Sequence, residues 1–170
     1  MSIAIQFGIH FAAILIATEV ALAFGDPYDP SLIPDGPFNP NTLNTCTFLM
    51  SCLATVNTFA VNYRGEPFVE PLSKNILMLR SLQVCYAILL ICVLEVFPPM
   101  NDLMQLAEFP AIAEEAEWLA DKSVPGSALS MLTKSVKAFG FPTFMCGLMI
   151  LDTGLTFVSE RLILQYFEPS

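Results

Sequence analysis

Positive charge is what this sequence has least of: seven Lys and Arg stand against sixteen Asp and Glu, a formal net charge of −9. That balance argues against a nucleic-acid partner and against adhesion to an acidic lipid surface. Charge of either sign is scarce, at 14% of 170 residues, while 55% are hydrophobic and the mean hydropathy is +0.63. A soluble domain so apolar would carry more greasy surface than it could bury, so the composition points to a membrane protein with no room for a large catalytic domain. His10 and Trp118 are the only residues of their types, and Cys46, Cys52, Cys85, Cys92 and Cys146 show neither CxxC spacing nor a clustered His. The cysteines therefore read as small buried apolar residues in spans, not as disulfides or zinc ligands, and they are silent on redox compartment. Phosphate-cradling loops, nucleophile elbows and metal-binding helix motifs are missing as well, which leaves no visible catalytic apparatus. The N-terminus lacks a basic region, and Gln6, His10 and Glu19 are unusual for a signal sequence despite a weak small-residue pattern after Ala23, so the first apolar run is expected to be a retained span.

What is present is a series of apolar runs. Residues 2–24 form the first expected span, long enough to cross a hydrocarbon core of about 30 Å at about 1.5 Å per residue. Gln6, His10, Ala13 and Ala17 share one small, polar face that should meet other helices. Residues 25–40 are rich in Pro, Gly and Asp and form an acidic loop. The second span, 41–63, carries Asn44, Thr47, Ser51, Thr55, Thr58 and Asn62 at steps of three or four. Polar groups in lipid seek partners on neighbouring helices, which places this helix in the interior of a bundle. A hairpin, 64–75, follows, with Gly65 permitting a conformation other residues resist and Pro67 turning the chain. The third span, 76–97, is the most apolar; Arg80 can snorkel at its start, Glu95 lies near its end, and Pro98-Pro99 is expected to stop it. Residues 98–137 are too polar to cross and suggest short amphipathic helices broken by Pro110 and Pro125. Glu114, Glu115, Glu117 and Asp121 read as a solvated face with Trp118 at the interface, because their spacing lacks the alternation of a calcium loop. A last helix, about 128–167, has its membrane core at 138–158, with Pro142 kinking it or marking its start.

The expected fold is thus an all-α membrane protein, a bundle of four transmembrane helices with short amphipathic helices before the last. Arg64 and Lys74, with Arg80 nearby, sit about the hairpin, whereas the first loop has no basic residue. The positive-inside rule makes the hairpin and both termini cytoplasmic and the loops 25–40 and 98–137 exoplasmic.

Asp152, in Leu151-Asp152-Thr153-Gly154, is the sharpest single residue. A carboxylate at that depth costs about 2.5–3.5 kcal/mol on insertion scales, so it should face the bundle or a wet cavity. Three readings stay open: a polar wall of a transport path, an interhelical hydrogen bond to the stripe of the second span, or an acid kept protonated by desolvation. His10 reads as a packed residue bonded to Gln6 or a neighbouring helix, and no metal site is expected. Together, Asp152, Asn44, Ser51, Thr55, His10 and Gln6 are the candidate transport-path or helix-packing residues.

The hairpin also carries a resemblance. Asn62, Tyr63, Gly65, Pro67 and Phe68 fill an Asn-Tyr-x-Gly-x-Pro-Phe pattern that resembles the turn after the eighth of ten membrane helices in type V P-type ATPases of subfamily A, the endoplasmic-reticulum transmembrane-helix dislocases. The preceding Ala60-Val61 favours subfamily A over the polyamine-transporting subfamily B. Weaker similarities lie in order around the hairpin, at Gln6-Phe7 with His10-Phe11, Pro40 with Asn44, Glu108-Phe109-Pro110, Leu151-Asp152 and Glu160-Arg161, whereas the Pro-rich loop and residues 111–135 depart from the pattern. The resemblance implies a C-terminal membrane region, the last four helices, of an ATP-driven transporter that extracts mis-inserted transmembrane helices from the endoplasmic reticulum membrane. It implies ATP and magnesium as cofactors of the parent protein but none in this chain. The implied partners are the remaining membrane helices and cytoplasmic domains of the ATPase, the bilayer and mis-inserted segments as substrate. The phosphorylated Asp-Lys-Thr-Gly-Thr motif is not in this sequence, so Met1 is expected to be an internal or misassigned start, and the chain a non-catalytic support. A free-standing four-helix membrane interaction or assembly protein, or part of a polyamine- or cation-transporting ATPase, are the alternatives.

Overall fold

The computed structural model describes residues 2–24, 39–63, 70–110 and 128–167. These form α1 (Ser2–Phe24), α2 (Thr42–Asn62), α3 (Ile76–Val93), the short α4 (Pro98–Leu103), α5 (Ala128–Phe139) and α6 (Phe141–Phe167). No strand occurs among the described residues. α1 packs against α2 and α6, α2 also packs against α6, and α3 closes the bundle on α2 and α6. Contacts at the two ends fix the directions. Phe24 at the end of α1 meets Phe141 at the start of α6, ring centroids 5.8 Å apart and edge-on, while Ser2 at the start of α1 bonds Glu160 near the end of α6. α1 therefore runs antiparallel to α6, and the Gln6–Asn62 bond makes it antiparallel to α2.

The bundle buries an apolar core that includes Leu49, Met50, Phe141 and Met145, yet large apolar side chains also face outward and polar ones inward. Leu77, Ile150, Leu151 and Val158 are exposed, while Gln6, His10, Asn57, Asp152, Thr156 and Glu160 are buried. Lipid tails are as apolar as Leu, so helices in a bilayer gain little from hiding Leu and gain from pairing polar groups with one another. α1, α3 and residues Phe141–Tyr166 are long and apolar enough to cross a membrane. α2 has the length, at 21 residues, but its Asn, Thr and Ser content holds its hydropathy below theirs.

One element boundary differs clearly from expectation. Helix α3 ends at Val93, four residues short of the expected end. Glu95 takes φ 52, its N–H bonds Cys92 O at 3.2 Å, and Val96 N–H bonds Ile91 O at 3.2 Å. This pair of bonds is a Schellman cap, which consumes the last carbonyls of α3 before the prolines are reached. Pro98 and Pro99 open α4, where a missing N–H costs no intrahelical bond. α4 closes the same way, with Gln105 at φ 54 and bonds from Gln105 N to Asp102 O and from Leu106 N to Asn101 O. The last helix is divided at Gly140, φ 90, and α6 starts at Phe141 with Pro142 in its first turn, so that of the two expectations for Pro142 it marks a start and does not kink the helix. The helix then runs to Phe167, the end expected for it.

The chain after α4 is pinned to the bundle. Ala107 N–H bonds Thr45 Oγ1 of α2 at 2.8 Å, Phe109 N–H bonds Glu95 Oε1 at 2.8 Å, and the Phe109 ring stacks on Phe141 at 4.9 Å. Glu114, Glu115, Glu117, Trp118, Asp121 and Pro125 lie outside the described residues.

Candidate functional site

The interior of the bundle holds two adjoining polar layers. In the first, His10 Nδ1 of α1 lies 3.0 Å from Asp152 Oδ1 and 2.9 Å from Oδ2 on α6. Asn57 Nδ2 of α2 donates to Asp152 Oδ2 at 2.9 Å and to Thr153 Oγ1 at 3.1 Å, while Tyr86 of α3 donates its hydroxyl to Asn57 Oδ1 at 2.7 Å. One connected network thus joins all four long helices. Asp152, Asn57 and His10 are at least nine-tenths buried. A carboxylate that accepts from two helices and faces an imidazole has its charge met inside the protein, which is the condition for tolerating it at this depth. With both acceptor oxygens on Nδ1, the ring proton sits there and Nε2 is turned the other way. Nε2 has no hydrogen-bond partner among the described residues.

The second layer lies one helical turn along α1. Gln6 and Asn62 exchange amide bonds, Asn62 Nδ2 to Gln6 Oε1 at 2.8 Å and Gln6 Nε2 to Asn62 Oδ1 at 3.2 Å. Gln6 Nε2 also reaches Ser2 Oγ at 2.9 Å and Glu160 Oε2 at 3.1 Å, and the Ser2 hydroxyl donates to the same Glu160 oxygen.

Of the hairpin residues, Asn62 belongs to this layer and Tyr63 sits just outside it. Tyr63 donates its hydroxyl to Glu70 O at 2.9 Å and accepts from Asn75 Nδ2 at 3.2 Å. Asn75 in turn caps α3 by accepting from Met78 N–H at 3.1 Å. The end of α2 and the start of α3 are therefore tied through one phenol. Gly65, Pro67 and Phe68 lie outside the described residues.

His10, Gln6 and Asp152 come together; Asn44, Ser51 and Thr55 do not join them. Those three are exposed on the outer side of α2. Thr47 and Thr55 turn their hydroxyls to the carbonyls of Leu43 and Ser51 in their own helix, at 2.9 and 3.0 Å. Backbone carbonyls four residues back satisfy hydroxyls without help from a neighbour, so these members of the stripe do not need the interior, whereas Asn62, its last member, pairs with Gln6 of α1. The buried face of α2 is Thr45, Cys46, Leu49, Met50, Leu53 and Asn57. Asn57 and Tyr86 were not among the residues expected at the site. The one signal for Asn57 is an amide that continues the row of Leu49 and Leu53 at steps of four; Tyr86 has none. Cys46 and Cys92 are buried as expected, but Cys85 is exposed on α3, and all five cysteines are free. Glu19 is exposed.

Both oxygens of Asp152 are engaged by protein groups, and no three His, Cys, Asp or Glu among the described residues are placed to hold a metal ion. The residues present do not fit magnesium.

No family model matches the sequence. It is similar to the endoplasmic reticulum transmembrane helix translocase of Schizosaccharomyces pombe, 26% identical over 165 residues that make up 97% of this chain and 11% of that protein. The translocase of the same name from Saccharomyces cerevisiae is 35% identical over 105 residues, 61% of this chain and 8% of that protein. A probable manganese-transporting ATPase of Arabidopsis thaliana, PDR2, is 28% identical over 107 residues, 62% of this chain and 9% of that protein. The chain thus spans about a tenth of the length of the curated relatives it matches. Over nearly its whole length, this chain is related to the type V P-type ATPases of subfamily A, the endoplasmic-reticulum transmembrane-helix translocases, and is similar to a part of them.

Proposed function

We propose that this chain is the C-terminal membrane region of an ATP-driven transporter that extracts mis-inserted transmembrane helices from the endoplasmic reticulum membrane. The observation that carries this reading is the match of 97% of the chain to a protein named for that translocation. In the proposed arrangement all four long helices cross the bilayer, α2 included. Ser2 and Glu160 lie together at one end of the bundle, which suits an even number of crossings, and the hairpin after Tyr63 faces the cytoplasm.

The role assigned to the region is support. A network that ties His10, Asn57, Tyr86 and Asp152 across the four long helices, with a second that ties Gln6 to Asn62 and Glu160, resists relative movement of those helices. ATP and magnesium act on the cytoplasmic domains of the complete protein in this reading, and no residue of this chain is assigned to them. Proteomic sizing of the native product, with the reading frame upstream of Met1, tests it first. A native product of 18.7 kDa overturns it in favour of a free-standing membrane protein. ATPase activity of the purified full-length protein tests the substrate. Stimulation by transmembrane peptides is expected; stimulation by manganese or polyamines and not by peptides overturns the helix-extraction reading.

A further inference from the structure

A groove of about 470 Å³ lies between α3 and α6. Leu90 of α3 and Ile150 and Phe157 of α6 line it, and all three are exposed. The two hydroxyls in its wall are already engaged, since Tyr86 donates to Asn57 Oδ1 at 2.7 Å and Thr153 to Met149 O at 2.9 Å. Gly154 also lines it, and a Cβ added there would meet nothing within 4 Å. The groove therefore offers an occupant shape and apolar contact.

Polar groups stand beyond one end of it. Arg161 follows Phe157 by four residues and Gln83 precedes Tyr86 by three, so each continues the face of its helix that lines the groove. α2 runs parallel to α6, because α1 is antiparallel to both. The Tyr63–Asn75 and Asn57–Tyr86 bonds make α3 antiparallel to α2. The earlier residue of α3 and the later residue of α6 therefore lie toward the same end of the groove. Both are exposed, and neither has a hydrogen bond or ion pair among the described residues. An amide and a guanidinium on a lipid-facing surface are costly to leave to hydrocarbon.

We propose that this groove holds one acyl chain of a glycerophospholipid whose phosphodiester sits on Arg161 and Gln83. The inference goes beyond the ATPase reading and does not depend on it; it requires that α3 and α6, both long and apolar enough to cross a membrane, do so. The occupant is a chain and not a helix, because seven steps from Ile150 to Phe157 cover about 10 Å at about 1.5 Å per residue, against about 30 Å for a spanning helix. It carries a phosphate because a guanidinium presents a fork of donors that matches paired phosphate oxygens, and the Gln83 amide adds another donor. A sterol has no anionic group to meet Arg161.

The test uses the native product, purified from membranes in mild detergent and given phosphatidylcholine with a photoreactive diazirine in one acyl chain. Adducts are mapped to residues by mass spectrometry. The control position is the exposed Val84, two residues and so about 200° around α3 from Tyr86. Adducts are expected on residues 86–90 and 150–157 at several times the Val84 yield. Gly154→Leu, which fills the groove from an open position, and the double variant Arg161→Gln/Gln83→Leu, which removes the partners of the phosphate, should each lower the groove yield several-fold and leave the Val84 yield unchanged. Should Gly154→Leu fail to fold, the double variant, altered only at exposed side chains, decides. Groove adducts at the Val84 level, or a groove yield that the double variant does not lower, overturn the proposal. So does a groove yield that added cholesterol suppresses and unlabelled phosphatidylcholine does not.

Discussion

His10 and Asp152 are 142 residues apart in sequence, and the Nδ1 of one lies within 3.0 Å of both carboxylate oxygens of the other. The two form a buried ion pair whenever the ring is protonated, and Asn57 and Tyr86 extend it to every long helix. Removing one partner of a buried pair leaves the other without compensation, which costs more than the pair itself contributes.

Asp152→Leu is therefore expected to destabilise the detergent-solubilised protein by about 3–5 kcal/mol, read as a lowered unfolding midpoint. His10→Leu should act similarly, and the double variant His10→Leu/Asp152→Leu should be more stable than either single one. A double variant as unstable as the sum of the singles would contradict this account of the pair.

His10→Asn is expected to be mild. An Asn amide can place its N–H where Nδ1 stands and keep the bond to Asp152, so its unfolding midpoint should lie well above that of His10→Leu. Equal losses would show that imidazole volume, not the Asp152 bond, matters.

Tyr63→Phe removes one hydroxyl that bonds Glu70 O and Asn75 Nδ2. The expected loss is about 0.5–1.5 kcal/mol per bond, confined to the turn between α2 and α3. Hydrogen exchange should quicken in residues 70–78 and stay unchanged around Asn57; a uniform change would argue against a local tie.

Glu95→Gly sets two effects against each other. Glycine relieves a left-handed conformation that costs about 1–2 kcal/mol, but it deletes the acceptor for Phe109 N–H, a bond to a charged group of about 1.5–3 kcal/mol. Loss of the bond should outweigh relief of the strain, giving a net destabilisation. Glu95→Gln keeps an acceptor and should lose less, as measured by thermal unfolding.

Much of this arrangement was legible in the sequence, and the limits were physical. Long apolar runs fixed α1, α2 and α3 closely at their starts, because a span needs about 20 residues whatever surrounds it. Helix ends were less legible. Proline is a strong breaker, yet α3 had already stopped at a left-handed Glu95 that bonds Phe109, a partner fourteen residues on. The α2 stripe shows a sharper limit. Periodicity finds a polar face without saying which way it points, since hydroxyls satisfied by their own backbone can face outward as readily as inward.

Residue order alone is enough to say that the chain is helical and apolar, that Asp152 needs protection, and that Asn62-Tyr63 opens a turn with a family resemblance. Composition and depth suffice for those statements, because a carboxylate in an apolar helix is costly wherever the helix lies. What protects the carboxylate is settled in three dimensions. The protectors are His10, Asn57 and Tyr86, brought in from three other helices, and no local pattern marks a residue whose partner is 29 to 142 positions away. Helix directions and the crossing at Gln6 and Asn62 select those partners, and they follow from packing of whole helices.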